Sequence, residues 1–148
     1  MIRIELSGWP EARGEAMRVR ERVFVAEQGV PAELELDEHD PSCVHALARD
    51  EAGRVVGTGR LLPAHAHGAR IVSHVGRMAV LKEWRGRGVG GALLARLIEA
   101  ARARGDTEIV LSAQTHAQGF YRAHGFLEEG EAFLEAGIPH RTMRRVLV

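Results

Sequence analysis

The stretch Trp84–Leu94, WRGRGVGGALL, places four glycines and two arginines directly ahead of an apolar run. Ordered glycine costs more backbone entropy than any other residue, and a helix start is normally capped by a side chain. So much glycine here means that backbone amides are kept clear for contact. A helix N-terminus suits an anion, because its free N–H groups and the helix dipole both favour negative charge. The feature constrains the chain to a strand, a phosphate-binding turn and a helix at its centre.

Two patterns fit the same residues. Gly86, Gly88 and Gly91 match G-x-G-x-x-G, the dinucleotide fingerprint. Arg85, Gly88 and Gly90 match Arg-x-x-Gly-x-Gly. The dinucleotide pattern wants an acid at the carboxyl end of the next strand for the ribose hydroxyls. That strand ends Leu111-Ser112-Ala113-Gln114, and Glu108 lies at its wrong end. Only 57 residues remain after Gly91, too few for the further βαβ units of a dinucleotide fold. No Gly-Lys-Ser/Thr follows, which excludes a P-loop.

Ile2–Leu6 alternates as a strand, and Pro10 opens a helix with Ala12, Ala16, Val19 and Val23 on one face. Gly29-Val30-Pro31 stops it. The acidic run Glu33–Asp40 reads as a loop or short irregular helix ended by Pro41. Strands Cys43–Arg49 and Arg54–Leu62 follow, joined by the hairpin signal Asp50–Gly53. PAHAHG (Pro63–Gly68) reads as a loop, and Arg70–Leu81 as a third long strand. The helix after the glycines carries Val89, Leu93, Leu97 and Ala101 and ends at Gly105 and Asp106. Glu108–Ala113 is a buried strand, Thr115–Ala123 a brief helix, and Phe126–Phe133 and His140–Val148 the last strands. The order β-α-β-β-β-α-β-α-β-β predicts an α+β mixed sheet.

At 148 residues, residues 1–148 are expected to form a single domain. Lys+Arg and Asp+Glu both number 20, so no basic field points to nucleic acid or an anionic membrane. Cys43 is the only cysteine, which excludes an internal disulfide and predicts a reducing compartment. The N-terminus lacks the apolar core of a signal peptide, and no apolar run reaches membrane-spanning length. A cytoplasmic protein is the expectation.

The chain resembles the GNAT superfamily of N-acetyltransferases. Arg85, Gly88 and Gly90 fill its acetyl-CoA motif behind the strand Val75–Val80. Ala117, Phe120, Tyr121, Gly125 and Phe126 fill its second motif, Ala-x-x-aromatic-Tyr-x-x-x-Gly-Phe. Within the superfamily, RERVFVAEQGVP (Arg20–Pro31), AQTHAQGFYRAHGF (Ala113–Phe126) and GIPH (Gly137–His140) resemble the ElaA-like group. The Gly-x-x-His close is also similar to the glyphosate N-acetyltransferase type, in which the tail histidine is the catalytic base. Gln114 stands where those enzymes carry an anion-binding arginine, which argues against a phosphonate substrate. The resemblance implies a GNAT-like mixed central sheet of about seven strands with helices on both faces. It implies acetyl-CoA as cosubstrate and an N-acetyltransferase acting on an amine.

The residues can be assigned on that basis. Amides and side chains of Arg85, Gly86, Arg87, Gly88, Val89, Gly90 and Gly91 would meet the pyrophosphate, at roughly 1.5–3 kcal/mol per charged hydrogen bond. By resemblance, Met78, Ala79 and Val80 offer the strand edge that pairs with the pantetheine arm, with Gln114 on its other side. The Val80 amide is placed to polarise the thioester carbonyl. Tyr121 would protonate the departing thiolate, with an aromatic packing role as the alternative. His140 is the candidate base, and Glu27, Asp37 and Asp40 compete through water. A base is needed because an amine with a pKa near 10.4 is only about one part in a thousand neutral at pH 7.

No metal is expected, since His39, Asp40 and His45 lack the spacing of a closed site. For the acceptor, a small-molecule amine is favoured over a protein. The acidic run could steer a cation, and Arg20, Arg60 and Arg77 could receive a carboxylate. The sequence leaves the oligomeric state open, with a homodimer suggested only by analogy. A non-catalytic acyl-CoA sensor is the alternative from another class; it would keep Arg85–Gly91 without needing Tyr121 or His140.

Overall fold

A hairpin supplies the centre of the sheet. In the computed structural model, which describes residues 1–147, β2 (Val44–Arg49) and β3 (Val55–Leu61) pair antiparallel across the Asp50 turn. The Asp50 carboxylate holds that turn by accepting from the amides of Ala52 and Arg54, each at 2.9 Å. β1 (Arg3–Ser7) adds to β2 antiparallel. Beyond β3 the sheet continues with β5 (Arg70–Val80), β6 (Glu108–Gln114), β8 (Ile138–Val146) and β7 (Leu127–Glu135). β4 (His65–His67) pairs with β5 off this path. The sheet therefore has eight strands where about seven were expected, because PAHAHG forms a short strand instead of a loop. Val148, the last residue of the expected final strand, lies outside the described residues.

All seven residues of β3 are buried, so helices cover it on both faces. On one face α3 (Val89–Arg104) approaches closely. A Cβ at Gly57 would come within 3.0 Å of the Val89 and Leu93 side chains, and one at Gly59 would collide with Met78. Thr58 and Arg60 alternate to the other face. There, α1 (Trp9–Arg20) buries Ala12, Ala16 and Val19 against the sheet. The helix runs on without a break through Glu21–Glu27 as a π-helix, a widened turn that the 3.6-residue spacing did not announce. The acidic run contains a short helix, α2 (Ala32–Glu35), and a 3₁₀ turn over Asp40–Ser42 that takes in Pro41.

Among the described residues β5 and β6 form the only parallel pair in the sheet, and their pairing covers just Val72–His74 against Glu108–Val110. Beyond that point they part. The second half of β5 stays on β3 through a bulge near Arg77, whose φ is +52°. The second half of β6 stays on β8, where Gln114 faces His140. The result is an opening inside the sheet, flanked by α3 and by α4 (Gln118–Ala123).

Candidate active site

Two cavities meet at this opening. The narrower one, about 390 Å³, runs along Met78–Val80 and the glycine loop to Phe120 and Tyr121. The larger, about 600 Å³, lies between the π-helix, α2, β5, β6 and the β7–β8 hairpin. Met78, Ala79, Val80, Arg85, Ala117 and Tyr121 line both. A ligand in one cavity thus reaches a ligand in the other across this short wall.

The narrow side is built from backbone. Gly88 caps α3 at φ +80° with no side-chain cap, and Ala92 N–H is the first to bond the helix back, to Gly88 O at 3.0 Å. The amides of Val89, Gly90 and Gly91 precede that bond and face outward for an anion. Gly86 and Gly88 both have the positive φ that favours glycine. Gly91 has a different reason: a Cβ there would come a tight 3.3 Å from His124 Nε2 at the end of α4, whereas one at Gly90 would rest in ordinary contact on the Phe120 ring at 3.4 Å. Leu81 N–H donates to Val56 O at 2.9 Å, so the Val80 N–H, one residue earlier in an extended strand, points away from β3 and toward the opening. Arg85 Nε donates to Val80 O at 3.0 Å, and its Nη2 pairs with Glu27. Arg87 lines neither cavity and lies over the Trp84 ring at 4.8 Å.

The larger side is built from side chains. Arg20, fully buried, bonds Glu35 and both oxygens of Asp40, at 2.9 and 3.1 Å. Arg60 bonds Asp37 at 2.7 and 2.8 Å and Asp40 at 2.8 Å. Arg77 reaches Asp37 at 3.0 Å. Three arginines and three carboxylates therefore neutralise one another beside the cavity. This corrects two expectations. Glu35, Asp37 and Asp40 are not free to steer a cation, and Arg20, Arg60 and Arg77 already hold internal carboxylates. Burial pushes the Asp37 carboxyl up, but Arg60 hydrogen bonds and charge outweigh it and hold the group well below the carboxylate range. That makes Asp37 a poor base, and Glu27 is tied to Arg85. Burial raises Glu35 against the pull of Arg20.

Gln114 exchanges two amide hydrogen bonds with Gln28, at 2.9 and 3.3 Å, across the larger cavity. Gln28 was not singled out in the sequence, although it sits inside the ElaA-like stretch. His45, part of the loosely metal-like group, bonds the Asp40 carbonyl at 2.9 Å. Among the described residues no group of three or more His, Cys, Asp or Glu could hold a metal. Cys43 is buried with its thiol against His39 O, and burial pushes it up to about 11.

Tyr121 is buried edge-on between Phe120 and Phe126, at ring distances of 5.0 and 6.0 Å. Its hydroxyl has no hydrogen-bond partner among the described residues, and burial pushes the phenol up to about 12. His140, the third residue of β8 rather than its first, is buried in the wall of the larger cavity. Its Nδ1 lies 2.6 Å from Ile138 O. A carbonyl only accepts, so Nδ1 carries a proton, and in the neutral ring Nε2 holds the lone pair.

A sheet parted between its parallel strands, with an uncapped glycine-rich helix start at the gap, is built to hold an anionic cosubstrate against a free strand edge. The acetyltransferase (GNAT) domain model matches residues 10–147, and the chain belongs to that family. It is 42% identical to the uncharacterized N-acetyltransferase YjcF of Bacillus subtilis over 133 residues, 88% of this chain and 90% of the relative. An acyl-CoA N-acyltransferase from Pseudomonas aeruginosa superposes with a TM-score of 0.83 at 32% identity, covering 98% of this chain and 99% of that one. Escherichia coli ElaA superposes equally well, TM-score 0.83 at 28% identity over 98% and 99% of the two chains. The protein is an acyltransferase that uses an acyl-CoA. Among the described residues no helix is long and apolar enough to cross a membrane.

Proposed function

We propose that residues 1–148 form one cytoplasmic N-acetyltransferase domain that moves the acetyl group of acetyl-CoA to a primary amine of a small molecule. The amine attacks the thioester directly. The observation that carries the reading is the wall shared by the two cavities, with the Val80 amide and Tyr121 on it. Val89–Gly91 and Arg85 would bind the pyrophosphate, and Met78–Val80 and Gln114 would flank the pantetheine arm. The Val80 N–H, aimed into the opening, would stabilise the carbonyl oxygen as it gains charge. From the larger cavity, His140 Nε2 would take the amine's proton. Tyr121 would return one to the coenzyme sulfur.

Two measurements test this reading. Acetyl-CoA should raise the melting temperature by mass action and NADH should not. A panel of amines, assayed for thiol release from acetyl-CoA, should contain at least one that turns over. Stabilisation by acetyl-CoA with no thiol release from any amine would favour the sensor. Stabilisation by NADH alone would restore the dinucleotide reading.

A further inference from the structure

The β7–β8 hairpin turns at Ala136 and Gly137, both at positive φ (51° and 76°). The register pairs Glu135 with Ile138 and Phe133 with His140. Alternation then puts Phe133, Glu135 and His140 on one face of the hairpin. Phe133 stacks on the imidazole at 6.0 Å between ring centroids and 23° between planes. Glu135 Oε2 lies 3.6 Å from His140 Nε2, the nitrogen that holds the lone pair. The two side chains differ sharply in exposure, 8% for His140 and 52% for Glu135.

A base that is sealed in must be relieved of its proton once per turnover. Among the described residues, Glu135 is the only carboxylate within 4.0 Å of either His140 ring nitrogen. On β6 the residue opposite His140 is neutral Gln114. The 3₁₀ turn Thr115–Ala117, which packs on β8, brings His116. Across the same cavity stand His74 on β5, Tyr121 on α4 and the paired charges of Glu35, Arg60, Arg77 and Arg85. None of those is a free carboxylate.

We propose that Glu135 is the positioning residue and proton outlet of His140, an inference that rests on His140 being the base. As the amine nitrogen bonds the thioester carbon, its proton passes to Nε2. The C–S bond breaks with its electron pair on sulfur, which is protonated separately. The resulting imidazolium donates Nε2–H to Glu135, and the proton leaves from the exposed carboxyl to water or buffer. Nδ1–H stays on Ile138 O throughout, so the imidazole returns to its starting tautomer.

Amine-dependent thiol release is measured from pH 5.5 to 9 in dilute and concentrated MES or phosphate. The samples are the unaltered protein, Glu135→Gln, Glu135→Asp and His140→Ala. Glu135→Gln should lose roughly 3- to 30-fold in kcat in dilute buffer, less than the ~10²–10⁴ of a group that itself takes the amine's proton. Concentrated buffer should restore the rate, with KM for acetyl-CoA unchanged. The acidic limb of the Glu135→Gln profile should move to lower pH, because a carboxylate no longer stabilises the imidazolium. Glu135→Asp should retain most of the rate. Normal kcat and pH profile in Glu135→Gln, or a loss that buffer does not restore, overturns the proposal. Full activity in His140→Ala would instead overturn the base assignment itself.

Discussion

On the narrow side of the opening, the ligand-facing groups are main-chain amides at the start of α3 and the freed edge of β5, set by residues adjacent in sequence. On the larger side they are side chains from positions 23 to 140, brought together by the sheet and the π-helix and backed by buried ion pairs. Backbone amides present the same donors whatever the side chains, so the narrow side suits a cosubstrate that does not vary. Side-chain walls can change residue by residue, as an acceptor site requires. Stability is divided the same way. The loop is open and uncapped, whereas the larger side rests on buried ion pairs that are costly to break.

The largest effect should come from breaking that foundation. Arg20→Met leaves Glu35 and Asp40 buried without their partner and should cost about 3–5 kcal/mol of stability in denaturant unfolding. A cost near zero would make the network a passive feature of the wall. Next, Gly88→Val should abolish stabilisation by acetyl-CoA, about 2.7 kcal/mol at a concentration 100 times Kd. It should also strain the turn by roughly 1–2 kcal/mol because of its φ of +80°. Retained coenzyme stabilisation in this variant would break the division between the two sides.

Tyr121 stands on the shared wall, and its environment sharpens the expectation for it. With the phenol pushed up to about 12, donation to a thiolate near pKa 8.5 is uphill by roughly 5 kcal/mol. Tyr121→Phe should therefore lose turnover by roughly 10-fold, below the ~10²–10⁴ of an efficient general acid, with melting temperature and coenzyme affinity kept. No loss at all would leave Tyr121 as the packing partner of Phe120 and Phe126.

The smallest effect concerns acid stability. Burial works against Asp37 and Asp40, but Arg60 and Arg20 win and hold both below their ordinary value. Their contribution is whole above the unfolded pKa near 3.9 and is lost as pH falls below it toward the folded values. Glu35, raised by burial, acts oppositely and costs stability as pH rises past its unfolded value. Stability should drop between pH 4 and 3, and Asp37→Asn should flatten that drop by about 1 kcal/mol or less. An unchanged drop in Asp37→Asn would place the acid-sensitive pairs elsewhere.

The same contrast explains what was legible in the sequence. Glycine spacing, strand alternation and the stripe Ala12, Ala16, Val19 and Val23 are local signals, and they located the loop, the order of elements along the chain and α1. The π-helix left no mark, because only Val23 of the stripe Ala12–Val23 falls within Glu21–Glu27. β4 was hidden in a polar six-residue stretch whose pairing depends on β5. The neutralised cluster was unreadable for a different reason. Arg20, Asp40 and Arg60 are 20 residues apart, and nothing in their spacing says that their charges cancel. Gln28 became visible only through its reciprocal bonds with Gln114.

The division of labour is tested most directly by titrating acetyl-CoA into His140→Ala and Gly88→Val while following amine-dependent thiol release on the same samples. His140→Ala should bind acetyl-CoA as the unaltered protein does and lose turnover together with the acidic limb of the pH profile. Gly88→Val should lose coenzyme binding at the outset. If His140→Ala loses binding while keeping turnover at saturation, or Gly88→Val binds acetyl-CoA normally, the two sides do not have the roles assigned to them.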